Sequence, residues 1–222
     1  MASDRSVPSG EPSRPSHDRE GVIRNETAPR KKVGVLALQG DFEAHRKALE
    51  RAGAEPIEVR SAGQLANLDG LIIPGGESST MLKLLNEERL LDPLREFGRN
   101  HPVFGTCAGA ILLASHVSNP VQDSLALMDI DVERNGYGRQ VDSRITRLTS
   151  SGLTRDGTDR DLEAVFIRAP IITRVGNGAK VLARYDGNPV LVEQGHHLVA
   201  TFHPELTNDP SVHQLFLEKL QG

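Results

Sequence analysis

The chain has 222 residues, enough to bury a substantial core in one domain, and its formal net charge is −4. That charge, an aromatic content of 4% and the lack of tryptophan argue against a nucleic-acid binder, which needs a basic surface and rings to stack on bases. No apolar run approaches the roughly 20 residues that cross a bilayer, and no apolar leader opens the chain. A single cysteine makes no internal disulfide, which fits a reducing, cytoplasmic setting.

Residues 1–31 are rich in Ser, Pro and charge without apolar period, and composition predicts a disordered arm ahead of one folded domain, 32–222. The arm is either regulatory or an inert extension. Order begins at "KKVGVLALQG", a buried strand closed by Gly40. "DFEAHRKALERAG" places Phe42, Ala48, Leu49 and Ala52 on one helical face, with Gly53 as its stop. "AEPIEVRS" and "LDGLIIPGG" read as the second and third strands. "SSTMLKLLNEERLLDPLREFG" reads as helix, capped by Ser78 or Ser79 and broken near Pro93. "HPVFGT" is a fourth strand, and "AGAILLAS" opens the helix after Cys107.

From 121 to 200 the texture turns to short β-rich pieces, with a hairpin signal in the Asp-Gly pair of "YDGNPVLV" and the His196–His197 pair in a solvated hairpin. "SVHQLFLEKLQ" ends the chain as a short amphipathic helix. Strands alternating with helices predict an α/β fold of three layers, α/β/α, with a mainly parallel central sheet.

Three stretches can carry chemistry. In "FGTCAG" a strand runs straight into a helix, with Gly105 and Gly109 two positions either side of Cys107. Such a turn lifts a side chain clear, and a helix N-terminus favours the thiolate and offers N–H groups, notably that of Ala108, to an oxyanion. The same residues also suit a buried cysteine filling space between small neighbours. In "ATFHPEL", His203 and Glu205 on extended backbone would point the same way, giving a base and its orienting carboxylate. Alone, they also suit an exposed strand end. "PGGESST", 74–80, resembles an anion loop but lacks the Gly-Lys-Ser/Thr ending of a P-loop. It is either a capping turn or a second oxyanion donor. The other histidines (17, 45, 101, 116, 196, 197 and 213) show no metal-ligand spacing, so no metal or other cofactor is expected.

Together, "PGGESST", "GTCAGAILLA" and "FHPE", in that chain order, resemble the class I (triad) glutamine amidotransferase family, whose fold is flavodoxin-like. "VGVLALQGDFEAH", "ERNGYGRQVDS", "FIRAPII" and "ATFHPELTND" narrow the resemblance to the glutaminase subunits of pyridoxal 5′-phosphate synthases, over about residues 33–210. The resemblance implies hydrolysis of L-glutamine to glutamate and ammonia through a γ-glutamyl thioester. Cys107 would be the nucleophile, His203 the acid and base, and Glu205 the orienting carboxylate. Gly76 and Ala108 would hold the oxyanion, and Gly76, Glu77, Ser78, Arg134, Ile167 and Arg168 the glutamine.

It further implies a (β/α)8-barrel synthase as partner, which builds pyridoxal 5′-phosphate from ribose 5-phosphate and glyceraldehyde 3-phosphate within a complex of twelve copies of each subunit. Residues 37–45 would form part of the docking face. The glutaminase would be poorly active alone, with a peptide flip at Gly75–Gly76 on docking. Ala110 and Gly136 replace the larger Leu and Ala of the family pattern, without removing a functional group. The same triad also suits the glutaminase of another amidotransferase, a γ-glutamyl hydrolase or a cysteine peptidase.

Overall fold

The first half of the chain alternates strand and helix as its apolar spacing predicts. The computed structural model describes Met1 and residues 29–135, 144–150 and 160–220. The arm expected over 1–31 lies outside these apart from Met1 and 29–31, and so does Gly136. The first elements are β1 (Lys32–Leu36), α1 (Phe42–Arg51), β2 (Glu55–Val59), β3 (Gly70–Ile73), α2 (Ser78–Glu87), α3 (Leu91–Asn100), β4 (Val103–Thr106) and α4 (Ala108–Leu113). There follow β5 (Ala114–Ser118), β6 (Met128–Glu133), β7 (Arg144–Ser150), β8 (Arg160–Phe166), β9 (Ile171–Val175), β10 (Ala179–Tyr185), β11 (Asn188–Gln194), β12 (His197–Ala200) and α5 (Ser211–Lys219).

The main sheet runs β2-β1-β3-β4-β12-β11-β10-β7-β8. From β2 to β12 every pairing is parallel, and from β12 outward every pairing is antiparallel. Strand alternation divides the parallel half between two cores. Val33, Val35, Ile72, Phe104 and Leu198 join one, where Leu49 of α1 and Val212 and Phe216 of α5 cover them. Leu36, Leu71, Ile73, Val103 and Val199 join the other, under Met81 and Leu85 of α2, Leu94 and Phe97 of α3, and Leu112 of α4. Each such side chain, fully buried, contributes about 1.5–3 kcal/mol. These are the three expected layers. A small sheet, β5-β6-β9, is added to the second core through Val117, Met128, Ile130 and Ile172.

The β-rich second half therefore forms the antiparallel extension and this small sheet. The Asp-Gly hairpin is present: Asp186 and Gly187 have φ of 48° and 83°, joining β10 to β11 through the two left-handed residues of a type I′ turn.

Three local expectations are corrected. The α2–α3 break falls at Glu88–Leu90, where Arg89 has φ 54°, ahead of Pro93. Pro93 lies in the first turn of α3, where its missing N–H has no intrahelical partner to lose. The helix after Cys107 stops at Leu113, because Ala114 and Ser115 pair into the small sheet, with Ser115 Oγ donating to Met128 O at 2.7 Å. The His196–His197 hairpin is not solvated. His197 is buried and its Nδ1 accepts from Val103 N–H at 3.3 Å, while His196 is half-buried.

Candidate active site

Cys107 occupies the junction of β4 and α4, with φ 48° and ψ −104°. A non-glycine residue enters such a region at a cost of about 1–3 kcal/mol. Its surroundings enforce it. A Cβ on Gly105 would stand 2.5 Å from Gly109 O, and one on Gly109 would stand 2.0 Å from Ile73 O. Backbone thus packs on backbone around the turn, and the Cys107 N–H donates to Ala200 O at 2.8 Å, tying the turn to β12. The residue is only 7% exposed, and its sulfur lies 4.0 Å from Ile167 O. Ala108 follows as the first residue of α4, where a helix leaves the N–H without an intrahelical partner.

His203 and Glu205 do meet, but not on extended backbone. Strand β12 ends at Ala200, and Glu205 lies in a 3₁₀ turn, Pro204–Leu206. The tight turn brings the side chains together as the strand would have: His203 Nδ1–H donates to Glu205 Oε1 at 2.7 Å, both groups buried. This leaves His203 Nε2 for the sulfur. Burial alone would lower the His203 pKa, yet hydrogen bonding and charge from Cys107 and Glu205 outweigh it and raise it to about 10. The imidazole therefore keeps its proton at neutral pH. Burial pushes the Glu205 carboxyl up, and neighbouring His45 and His203 more than reverse this, leaving it below the ordinary range.

The "PGGESST" loop joins β3 to α2. A Cβ on Gly75 would stand 2.4 Å from Cε1 of His203 and 3.3 Å from Cys107 Cβ, so the loop rests against both. Gly76 has φ 146°, a conformation L side chains rarely adopt. Gln39 clasps the next residue, its Nε2 donating to Glu77 O at 3.1 Å and its Oε1 accepting from Glu77 N at 3.4 Å. Neither Ser78 nor Ser79 caps α2. Glu77 does, accepting from the N–H groups of Ser79 (3.0 Å) and Thr80 (2.6 Å). The longer carboxylate reaches both donors at once. Burial is the largest single influence on Glu77 and raises its pKa, yet the hydrogen bonds from Ser79 and Thr80 together outweigh it and lower the pKa to about 2. Arg134 donates to Glu77 Oε1 at 3.2 Å and to Ser79 Oγ at 2.6 Å.

One cleft of about 290 Å³ gathers Gly76, Glu77, Ser78, Cys107, Arg134, Ile167, Arg168 and His203. Arg168 enters it on a φ of 45°. Of the residues singled out in the sequence, only Ala108 and Glu205 do not line it; Glu205 stands behind His203. Sequence reasoning missed Asp41, Ile111 and Asn135 on its walls. All three lie inside stretches quoted for the resemblance, Asp41 within the expected docking face 37–45, but nothing in their type or spacing marks them as pocket residues. Asp41, His203 and Glu205 have the spacing of a metal site. Yet His203 Nδ1 carries the proton it gives Glu205, and a protonated nitrogen is no ligand.

A glutamine amidotransferase family model, that of the SNO family, matches residues 35–222. The chain belongs to the SNO glutamine amidotransferase family. Within it, the pyridoxal 5′-phosphate synthase subunit PdxT of Solibacter usitatus is 63% identical over 191 residues, 86% of this chain and 100% of that protein. The PdxT of Koribacter versatilis is 55% identical over 191 residues, 86% of this chain and 96% of its own length. A solved glutamine amidotransferase superposes with a TM-score of 0.78 at 47% identity, covering 86% of this chain and 99% of that one. The matched span takes in every residue of the cleft and Glu205 behind it.

Proposed function

We propose that this chain is the glutaminase subunit of a pyridoxal 5′-phosphate synthase, releasing ammonia from L-glutamine through Cys107, His203 and Glu205. The observation that carries the reading is a strained cysteine held at a strand–helix turn in the same cleft as a buried histidine braced by a buried carboxylate.

The thiolate of Cys107 attacks the side-chain amide carbon of glutamine, and the carbonyl oxygen takes the negative charge. N–H groups of Gly76 and Ala108 receive it. His203 gives its proton to the nitrogen as the C–N bond breaks, releasing ammonia and leaving a γ-glutamyl thioester. Water then attacks the thioester, losing a proton to His203, and the C–S bond breaks to give glutamate. Glu205 holds the His203 ring throughout. Arg134 pairs with the substrate α-carboxylate. Glu77 or a neighbouring carbonyl receives the α-ammonium, and Ser78, Ile167 and Arg168 complete the pocket.

Ammonia would pass to a (β/α)8-barrel synthase docked partly on residues 37–45, in a cytoplasmic assembly of twelve copies of each subunit. Neither nucleic acid nor membrane enters the reading; among the described residues no helix is long and apolar enough to cross a bilayer. Ammonia release is measured with and without the synthase. Partner-stimulated release that vanishes in Cys107→Ala supports the reading, and release that survives the substitution refutes the nucleophile.

A further inference from the structure

Behind the triad lies a second set of polar groups that the proposed chemistry leaves unused. His45 of α1 and His213 of α5 are fully buried, with Phe104 packed against both rings. Buried imidazoles lose their hydration, and the loss is offset only by partners for their nitrogens. The two rings meet through His45 Nδ1 and His213 Nε2 at 3.1 Å. The other nitrogen of His45, Nε2, stands 3.0 Å from Thr106 Oγ1 and 3.3 Å from Glu205 Oε2. The triad carboxylate is thus flanked by two imidazoles. Its Oε1 takes the His203 proton, while its buried Oε2 has no well-formed hydrogen bond and faces His45.

Electrostatics places the protons. A bare imidazole lone pair 3.3 Å from a carboxylate oxygen is repulsive, so Nε2 of His45 carries the hydrogen. Its Nδ1 is then the acceptor, and His213 donates from Nε2–H. That leaves His213 Nδ1 as a bare lone pair, which agrees with its having no partner. Burial lowers both histidines, with His203 also lowering His45 while Glu205 and Asp41 raise it. His213 falls to about 3, with His45 and Arg51 adding to burial and Glu205 opposing it. Each ring is neutral and holds one proton.

We propose that His45 is a positioning residue for the triad: its Nε2–H, shared with Thr106 Oγ1, faces the otherwise unpartnered second oxygen of Glu205 and restrains it by electrostatic attraction, and His213 and Thr106 hold the ring in place. A carboxylate fixed at one oxygen alone can swing about its terminal bond, taking the His203 ring off the line to the sulfur. The inference rests on the glutaminase reading above.

Nitrogen-15 NMR of histidine in the unaltered chain tests the proton placement without any variant having to fold. His45 is expected as the Nε2–H tautomer with a bare Nδ1, and the opposite tautomer overturns the proposal. Ammonia release is then measured in the complex with the synthase. His45→Leu should lower kcat about tenfold with KM changed less than about twofold, the scale of losing an outer partner of a functional histidine. His45→Gln, which returns an N–H donor, should recover most of the loss. Unchanged kcat in His45→Leu, or equal loss in the two variants, reduces His45 to packing and overturns the proposal. A wild-type complex that releases no ammonia refutes the glutaminase reading instead, and leaves the tautomer result standing.

Discussion

The two backbone segments that flank the Cys107 sulfur are held to different degrees. On one side the elbow is wedged: Gly105, Gly109 and Ile73 press backbone on backbone, so the positive φ of Cys107 has nowhere to relax. On the other side Gly75 also packs on backbone, against Gly40, and rests on His203, but the Gly76–Glu77 end of the loop is tied by a half-buried side chain, the Gln39 amide, through two hydrogen bonds to Glu77. Packing contacts that clash cannot be adjusted, whereas two partly exposed hydrogen bonds are worth about 1 kcal/mol each. On the proposed reading, the molecule therefore fixes Cys107 on all sides and leaves the Gly76 end of the loop the more adjustable of the two. That division suits a glutaminase that should act only when the loop is set correctly.

The elbow side offers the largest effect. Gly109→Ala puts a Cβ 2.0 Å from Ile73 O, and a backbone carbonyl cannot swing aside as a side chain can. The expected loss is roughly 3 kcal/mol of stability, read as a lower Tm, together with loss of ammonia release. A variant with wild-type Tm and kcat would show that the elbow is not wedged at all.

How much of this was legible beforehand follows the same division. Whatever depends on residue type at short spacing could be read: the glycines around Cys107, the strand–helix alternation, the Asp186–Gly187 turn. What depends on where separate segments meet could not. The i, i+2 pairing of His203 with Glu205 was right in outcome, though a 3₁₀ turn rather than a strand delivers it. Glu77 was passed over as a cap because its neighbours Ser78 and Ser79 are commoner caps, yet its longer carboxylate reaches two N–H groups. His45 left a faint signal, since it falls with Ala48, Leu49 and Ala52 on the apolar face of α1. Its partner His213 lies 168 positions away, a distance no local pattern spans. The antiparallel order of the extension was likewise out of reach, because short apolar runs do not specify their neighbours.

An intermediate effect comes from the histidine that faces the elbow. His203 has a folded pKa of about 10 against 6.5 for an ordinary histidine. A raised pKa means that the folded state binds the proton more tightly than the unfolded chain does. The stabilisation is complete below about pH 6.5 and is lost as pH rises through about 10. Thermal melts of the wild type and of His203→Asn, taken across that range, should differ most at the acid end and converge toward pH 10. A gap between them that is constant with pH would mean that His203 is neutral in the folded protein.

The smallest effect belongs to the clasp, and it bears most directly on the contrast between the two segments. Gln39→Ala removes both hydrogen bonds to Glu77 but leaves water free to replace them at a half-buried site. Stability should fall by about 1 kcal/mol or less, since each replaced bond loses only its small net value. Activity should respond out of proportion, because a loop released from Gln39 spends less time with its N–H aimed at the oxyanion. A fall of about threefold in kcat, with KM nearly unchanged, is the expected signature of an interaction made only in the transition state. Gln39→Glu keeps the acceptor but loses the donor to Glu77 O, and it should fall between the two. If Gln39→Ala instead lowers Tm as much as Gly109→Ala, the loop is wedged as firmly as the elbow, and the adjustable half of the site does not exist.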